Sequence, residues 1–170
     1  MTYLYQKLSD SEIQDFLREP RHGVLGTVNA FDKKPQLNTV WWLYEAGRIW
    51  LSFFPWSNKL HNIQQDPHVC LCIPTPYPQA DKQVILYGVI DRIDRQGEPG
   101  YDEALDYRMT QQYSANEKIA QAVHAADLKD GPWIQLSFAP DSIIGDDYDS
   151  IGPPSLTKGT DDERISDKNG

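Results

Sequence analysis

The spacing of apolar residues changes period twice along this chain. Ile13, Phe16 and Leu17 recur at helical intervals behind Ser9-Asp10-Ser11-Glu12, a capping pattern, and predict a first helix over residues 9–19 that stops at Pro20. From Gly23 the pattern is that of strands. Residues 23–30 form a short apolar run, Phe31-Asp32-Lys33-Lys34-Pro35 makes a turn, residues 36–44 are rich in β-formers, and Ala46-Gly47 turns the chain into residues 48–54. The three runs predict an antiparallel meander. A short helix opens at Ser57 and ends before Pro67, and His68 to Ile73 reads as a strand. Pro74, Pro76 and Pro78 mark a loop, and Gln83 to Asp94 a long strand. After Glu98-Pro99-Gly100 a helical stretch reaches about Ala126, with Leu105, Met109, Tyr113, Ile119 and Val123 as its expected buried positions. Gly131 returns the chain to a strand over residues 133–144. One domain over residues 1–150, with the barrel in 23–145, precedes a tail over 151–170 that is acidic, rich in Gly, Pro, Ser, Asp and Lys, and expected to be flexible.

Six mostly antiparallel strands joined by short turns, with a helix inserted after the third, favour a small barrel over a doubly wound parallel sheet. No Gly-rich strand-to-helix fingerprint is present, so a dinucleotide fold fails on motif and topology together. At 170 residues the chain buries an adequate core without disulfides or metal staples. Five Trp and nine Tyr suggest a ring-lined surface. A net charge of −9 argues against nucleic-acid partners and anionic membranes, whose recognition needs clustered Lys and Arg. No stretch has the length of a membrane-spanning helix and the start lacks an apolar leader, so a cytoplasmic location is expected. Cys70 and Cys72 lie two apart on a strand and share a face, an arrangement suited to reduced core or interface thiols. His22, His68 and His124 are scattered without metal-ligand spacing, so no metal site is expected.

The stretch Ser52-Phe53-Phe54-Pro55-Trp56-Ser57-Asn58-Lys59 carries the candidate chemistry. Ser57 stands where an N-cap belongs and Lys59 lies in the first turn. Unpaired backbone N–H groups at a helix start, a hydroxyl and an ammonium together suit a phosphate. The same residues also suit an ordinary capped surface helix with a solvated lysine, and the motif alone leaves both readings open.

The flanking sequence narrows them. Gly23-Val24-Leu25-Gly26-Thr27-Val28, Pro35 leading into Asn38-Thr39-Val40-Trp41-Trp42, Gly47 to Ser52, Ser57-Asn58-Lys59, and Asn62 to Pro67 jointly resemble the pyridoxamine 5'-phosphate oxidase-like family of flavin- and deazaflavin-dependent oxidoreductases. Trp133 to Pro140 resembles that family's last barrel strand. The resemblance implies a mainly-β fold, a six-stranded antiparallel split β-barrel of Greek-key type with a few peripheral helices. It also implies a homodimer with cofactor sites at the interface. In position-by-position terms, Asn38, Thr39, Val40, Trp41 and Trp42 resemble the strand whose backbone follows the pyrimidine side of the flavin. Ser52 and Phe53 resemble the pair ending the next strand, Ser57 and Lys59 the phosphate contacts, and Gln83 a glutamine that reaches the cofactor near the dimer interface. Trp41, Trp42 and Trp56 would be exposed interface or ring-packing residues.

Basic residues of the oxidase proper are replaced here by Asn38, Leu43 and Asn58, and an aromatic by Asp146. That pattern argues for a divergent member with a substrate other than vitamin B6. FMN is the expected cofactor, with coenzyme F-420 as the alternative, because a polyanionic F-420 tail favours a basic groove and this chain is acidic. Hydride transfer at a flavin N5 belongs to the cofactor, so no acid–base motif is required and no catalytic residue is singled out. A non-catalytic flavin or haem module, or a barrel without a cofactor, are the rival readings. Tyr87 and Trp133 are read as core aromatics ahead of pocket residues. Tyr107 and Arg108 are read as a solvated helix face, Arg48 as a solvated edge residue, His61 as a surface residue, and Asp146 to Asp149 as a solubilising strand end.

Overall fold

The computed structural model describes residues 6–76 and 81–148. The expected flexible tail at 151–170, and Pro78 in the proline loop, lie outside them. Fourteen elements follow in the order β1 (Gln6–Lys7), α1 (Asp10–Arg18), β2 (Gly23–Val28), β3 (Pro35–Val40), β4 (Leu43–Glu45), β5 (Arg48–Phe53), α2 (Asn58–Gln65), β6 (His68–Pro74), β7 (Lys82–Val89), β8 (Arg92–Arg95), α3 (Glu103–Tyr113), α4 (Glu117–Asp130), β9 (Ile134–Phe138) and β10 (Ser142–Asp147).

Helix α1 begins as its sequence dictates. The Ser9 hydroxyl accepts from the Glu12 backbone N–H while the Glu12 carboxylate accepts from the Ser9 N–H at 2.8 Å, and Ile13, Phe16 and Leu17 are buried. All strand pairs are antiparallel. A six-stranded sheet in the order β1-β10-β7-β6-β2-β3 faces a four-stranded one in the order β4-β5-β9-β8, and together they form a mainly-β split barrel. Leu25, Leu71 and Leu86 of the larger sheet and Leu51, Leu136 and Phe138 of the smaller are fully buried in the core.

Three runs expected as single strands each break at a barrel corner, which raises the strand count and divides the predicted meander between the two sheets. The 36–44 run leaves the first sheet after Val40 and enters the second at Leu43, because Trp42 is drawn inward. Its ring is fully buried, its Nε1–H donates to the Arg21 carbonyl at 2.6 Å, and its backbone N–H donates to the Tyr113 hydroxyl at 3.1 Å. The expectation of an exposed Trp42 is therefore overturned. The 83–94 run bends at Ile90-Asp91, where the Ile90 N–H leaves the ladder for the Pro67 carbonyl at 2.9 Å. The 133–144 run bends at Ala139-Pro140-Asp141, since a proline has no N–H to continue the ladder.

The predicted single helix to Ala126 is two, capped by the side chains of Asp102 and Asn116, with Ile119 exposed. Asp146 is buried and ion-paired to Lys7 at 2.6 Å, and Asp147 pairs with Lys82 at 2.9 Å. These acids are sheet partners, contrary to the solubilising role expected of them. Arg48 donates to the Ser137 hydroxyl at 3.2 Å and pairs with Asp91, tying the sheet corner together. Arg108 grips Glu45 through two bonds of 2.9 and 2.7 Å, which docks α3 onto β4 where a solvated face was expected.

Candidate functional site

At the end of β5 the chain turns through Phe54-Pro55-Trp56 into α2. The Ser57 N–H donates to the Phe54 carbonyl at 3.1 Å, and the Ser57 carbonyl accepts from the N–H groups of Leu60 and His61 at 3.0 and 3.3 Å. Ser57 is thus the N-cap by backbone geometry, yet its hydroxyl makes no capping bond. That hydroxyl and the one on Ser52 are buried without a hydrogen-bond partner among the described residues. A buried hydroxyl lacking a partner costs on the order of 1–3 kcal/mol. Lys59 sits over the Phe53 ring, its Nζ 4.6 Å from the centroid. No ion pair or hydrogen bond of Lys59 occurs among the described residues, and burial lowers its pKa.

These groups adjoin a cavity of about 360 Å³ between the barrel and the α3–α4 pair. Thr39, Val40, Trp41, Ser52, Phe53 and Lys59 line its barrel side. Among the described residues β3 is an edge strand, paired only to β2, so one side of its backbone has no strand neighbour among them and can read the polar rim of a flat ring. Trp41 stacks on Tyr113 with centroids 4.9 Å apart and planes 2° from parallel, and its Nε1–H donates to His22 at 3.2 Å.

The structure brings together six of the ten residues expected at a cofactor, with Ser57 at the adjoining helix start. Three lie elsewhere. Asn38 points to the core side of β3, where its side chain accepts from Gln36 at 3.3 Å. Trp42 belongs to the core, and its carbonyl is taken by Gln112 at 3.0 Å. Gln83 lies on the outer face of the larger sheet, bonded to the Tyr148 hydroxyl at 2.8 Å.

Helices α3 and α4 supply the opposite wall with Asp106, Met109, Thr110, His124 and Asp127, joined by Trp133 at the start of β9. Trp133 is thus a cavity residue, contrary to the core reading. It packs against Phe54 with centroids 4.0 Å apart and planes tilted by 32°, and its Nε1–H donates to the Asp127 carbonyl at 2.7 Å. Fully buried Gln135 donates to the Asp106 carboxyl at 3.2 Å, and the Tyr101 hydroxyl donates to the same group. Burial and the neighbouring Asp106 push the Tyr101 phenol up, so it stays a donor. Burial pushes the Asp127 carboxyl up as well, opposed by His124 and reinforced by Asp106 and Asp130. Sequence reasoning missed this wall. Its signal was the helical spacing of Asp106, Met109 and Thr110 and of Val123, His124 and Asp127, but a stripe mixing acids with apolar residues also describes a half-solvated helix.

Residues 9–139, from the start of α1 through β9, match the pyridoxamine 5'-phosphate oxidase family. The chain belongs to that family. No curated protein matches the sequence. Among solved structures, the pyridoxamine 5'-phosphate oxidase-like fold is shared with a conserved hypothetical protein from Mycobacterium tuberculosis, at 24% identity and a TM-score of 0.65 over 91% of this chain and 94% of that one. An F420 reductase matches at 19% identity and a TM-score of 0.59, covering 76% and 94%. A haem storage protein from Vibrio cholerae matches at 12% and 0.58, covering 80% and 94%. The fold is thus shared by a protein described as an F420 reductase and one described as a haem storage protein. No helix among the described residues is long and apolar enough to cross a membrane.

Proposed function

We propose that the protein is a cytoplasmic flavin-dependent oxidoreductase that binds FMN at the β5–α2 junction and acts on a small organic substrate by hydride transfer. One observation carries the reading. Among the described residues, the buried hydroxyls of Ser52 and Ser57 and the half-buried ammonium of Lys59 have no partners; all three lie at the β5–α2 junction, with Ser52 and Lys59 lining an aromatic-walled cavity. Unsatisfied donors around a positive charge fit an incoming phosphate, which would relieve the desolvation of all three. Thr39 and Val40 on the edge strand and Trp41 just after it would hold the ring, and Phe53 and Trp133 would exclude water from it. FMN, when bound, supplies a hydride-accepting ring. Lys59 is the one Lys or Arg among the described residues lining the cavity, which favours the single phosphate of FMN over the polyanionic tail of coenzyme F-420.

The same reading includes a homodimer. Strand alternation puts Leu37, Cys70, Cys72, Gln83, Ile85 and Tyr87 on the outer face of the larger sheet, with Leu37 67% and Tyr87 40% exposed. A mostly apolar sheet face suits a second copy of the chain. Because the fold is shared with a haem storage protein, a non-catalytic carrier is the second reading. Titrating FMN, coenzyme F-420 and haem against intrinsic Trp fluorescence, followed by reduction of any bound flavin with a nicotinamide nucleotide, separates them. Tight FMN binding with turnover supports the proposal. Absence of FMN binding refutes it, and binding without accelerated electron transfer leaves the carrier.

A further inference from the structure

A second hollow near Arg21, Thr75 and Lys82 is rimmed by Glu12, Asp15 and Glu19, and the pairs already formed there account for its charges. The thiols of Cys70 and Cys72 are pushed up by burial, away from reactivity. No three His, Cys, Asp or Glu side chains meet as metal ligands among the described residues. His22 is different, because its ring holds a residue of the cavity wall.

His22 lies between α1 and β2, one residue before Gly23, which pairs with Val40, so the antiparallel register carries it across from Trp41. The Trp41 Nε1–H donates to the His22 Nε2 at 3.2 Å, while the indole lies on the Tyr113 ring with planes 2° from parallel. The His22 ring meets Tyr113 as well, with centroids 5.6 Å apart. Tyr113 is a fixed support, since its hydroxyl accepts the Trp42 N–H at 3.1 Å and donates to the Arg21 carbonyl at 2.9 Å. A parallel stack sets the plane of an indole but leaves rotation within that plane. The bond to His22 removes that freedom and so fixes how the Trp41 ring stands at the cavity it lines.

That bond belongs to one charge state. To accept at Nε2 an imidazole must be neutral, with its proton on Nδ1, whereas an imidazolium carries N–H on both nitrogens and opposes the indole donor. His22 is exposed, so solvent protons reach it. The groups packed around it do not compete for the role. The Tyr113 phenol, pushed up to about 12 by burial, stays neutral. Arg21, its chain neighbour, directs its guanidinium to the Phe16 carbonyl and ring and to the Glu19 carboxylate. The histidines with carboxylate partners among the described residues are His68 and His124.

We infer that His22 is a positioning residue for the cavity: as a neutral imidazole it holds the Trp41 indole in place, and on protonation it releases it, so that binding of a ring ligand weakens as the pH falls. This inference rests on the proposed cofactor site, because it assigns the regulation of the same cavity. His22 acts through Trp41 and does not itself line the space.

Two measurements on the full chain test it. In nitrogen-15 NMR spectra the Trp41 indole N–H, assigned among the five tryptophans by its loss in Trp41→Phe, should shift in one step between about pH 5 and 8, with the same midpoint as the His22 ring signals. His22→Gln, which keeps an acceptor but cannot be charged, should flatten the step. The second measurement is the Kd for FMN against Trp fluorescence. Because a phosphate also titrates near about pH 6, the quantity read is the difference between proteins. Lowering the pH from about 8 to about 5 should weaken FMN binding to the wild type about three- to tenfold more than to His22→Gln. His68→Gln, at the exposed start of β6, controls for loss of a histidine charge and should keep the full wild-type change. Far-UV circular dichroism verifies folding of each variant, and the wild-type NMR titration decides independently of them. A Trp41 signal that does not follow the His22 midpoint, or that keeps its step in His22→Gln, would overturn the inference. FMN binding with the same pH change in wild type and His22→Gln overturns this inference alone, whereas coincident Trp41 and His22 titrations without FMN binding at any pH overturn the cofactor reading alone.

Discussion

Replacing Lys59 by Met should change the stability of the cofactor-free protein and its affinity for FMN in opposite or unequal directions. Without cofactor, Lys59 is half-buried, has no anionic partner among the described residues, and has a pKa lowered by burial. Its charging therefore opposes folding below the folded pKa, including at neutral pH. The substitution removes that opposition together with the contact over the Phe53 ring, which is worth about 0.5–1 kcal/mol. Methionine keeps most of the aliphatic packing. The net change in the cofactor-free protein should stay within about 1 kcal/mol, or roughly 2–4 °C in Tm for a chain of this size. With FMN the loss is one charge-assisted contact to phosphate, about 1.5–3 kcal/mol, or roughly ten- to hundredfold in Kd. At a free FMN concentration about 100 times the wild-type Kd, the cofactor stabilises the wild type by about 2.7 kcal/mol. At the same concentration the variant gains only about 0.4–1.4 kcal/mol. Thermal unfolding with and without FMN, backed by calorimetric titration, reads both quantities. An FMN-induced Tm shift equal in the two proteins would remove Lys59 from the phosphate site. A large fall in the Tm of the cofactor-free variant would refute the account of Lys59 as an unpaired, desolvated charge.

Other substitutions probe the frame around the site. Gly88→Ala would place a Cβ 2.5 Å from Phe138 Cδ2 and 3.2 Å from the Ala139 carbonyl, and Phe138 is fully buried, so urea unfolding should show a loss of about 1–3 kcal/mol. An unchanged midpoint would mean the corner at Ala139 yields easily. Tyr113→Phe removes the acceptor of the Trp42 N–H and should cost about 1–3 kcal/mol, with a red-shifted Trp emission if the corner opens; no change in either would sink the pinning role of Tyr113. Because burial raises the Asp127 pKa, its ionisation opposes folding, so Asp127→Asn should be more stable than wild type above the folded pKa. That difference should vanish as the pH falls below the ordinary carboxylate value, and thermal melts showing the reverse trend would contradict it. Tyr87→Asp, a charge on the outer face of the larger sheet, should shift sedimentation from about twice the 19.4 kDa chain mass towards the monomer, while a wild type that is already monomeric would refute the dimer.

How much of this was legible beforehand depended on the range of the interaction involved. Ser9 and Glu12 announced α1 because a capping box closes within four residues. The alternation over residues 23–28 and 68–73 marked β2 and β6, and it placed Cys70 and Cys72 on one face, since a strand's period is independent of its neighbours. The resemblance located Ser52, Ser57 and Lys59 at one junction because they are neighbours in the chain. The corners were illegible. Residues 36–44 keep their β-forming composition through Trp41 and Trp42, and only the Arg21 carbonyl and the Tyr113 hydroxyl, 71 residues on, determine that the indole turns inward and the strand changes sheet.

The amino-acid sequence by itself therefore determined the capping of α1, the alternation of β2 and β6, the antiparallel β character and the family, and it raised Ser57 and Lys59 as an expected phosphate seat. Tertiary structure alone decided that Ser52 and Ser57 bury hydroxyls without partners, that Trp42 is core while Trp133 faces the cavity, and that Asp106 and Asp127 stand across from Lys59. The physical reason is that capping and strand alternation are settled by bonds within a few residues. Burial, unpaired polarity and the charge of a wall are sums over atoms that the fold brings together from distant parts of the chain.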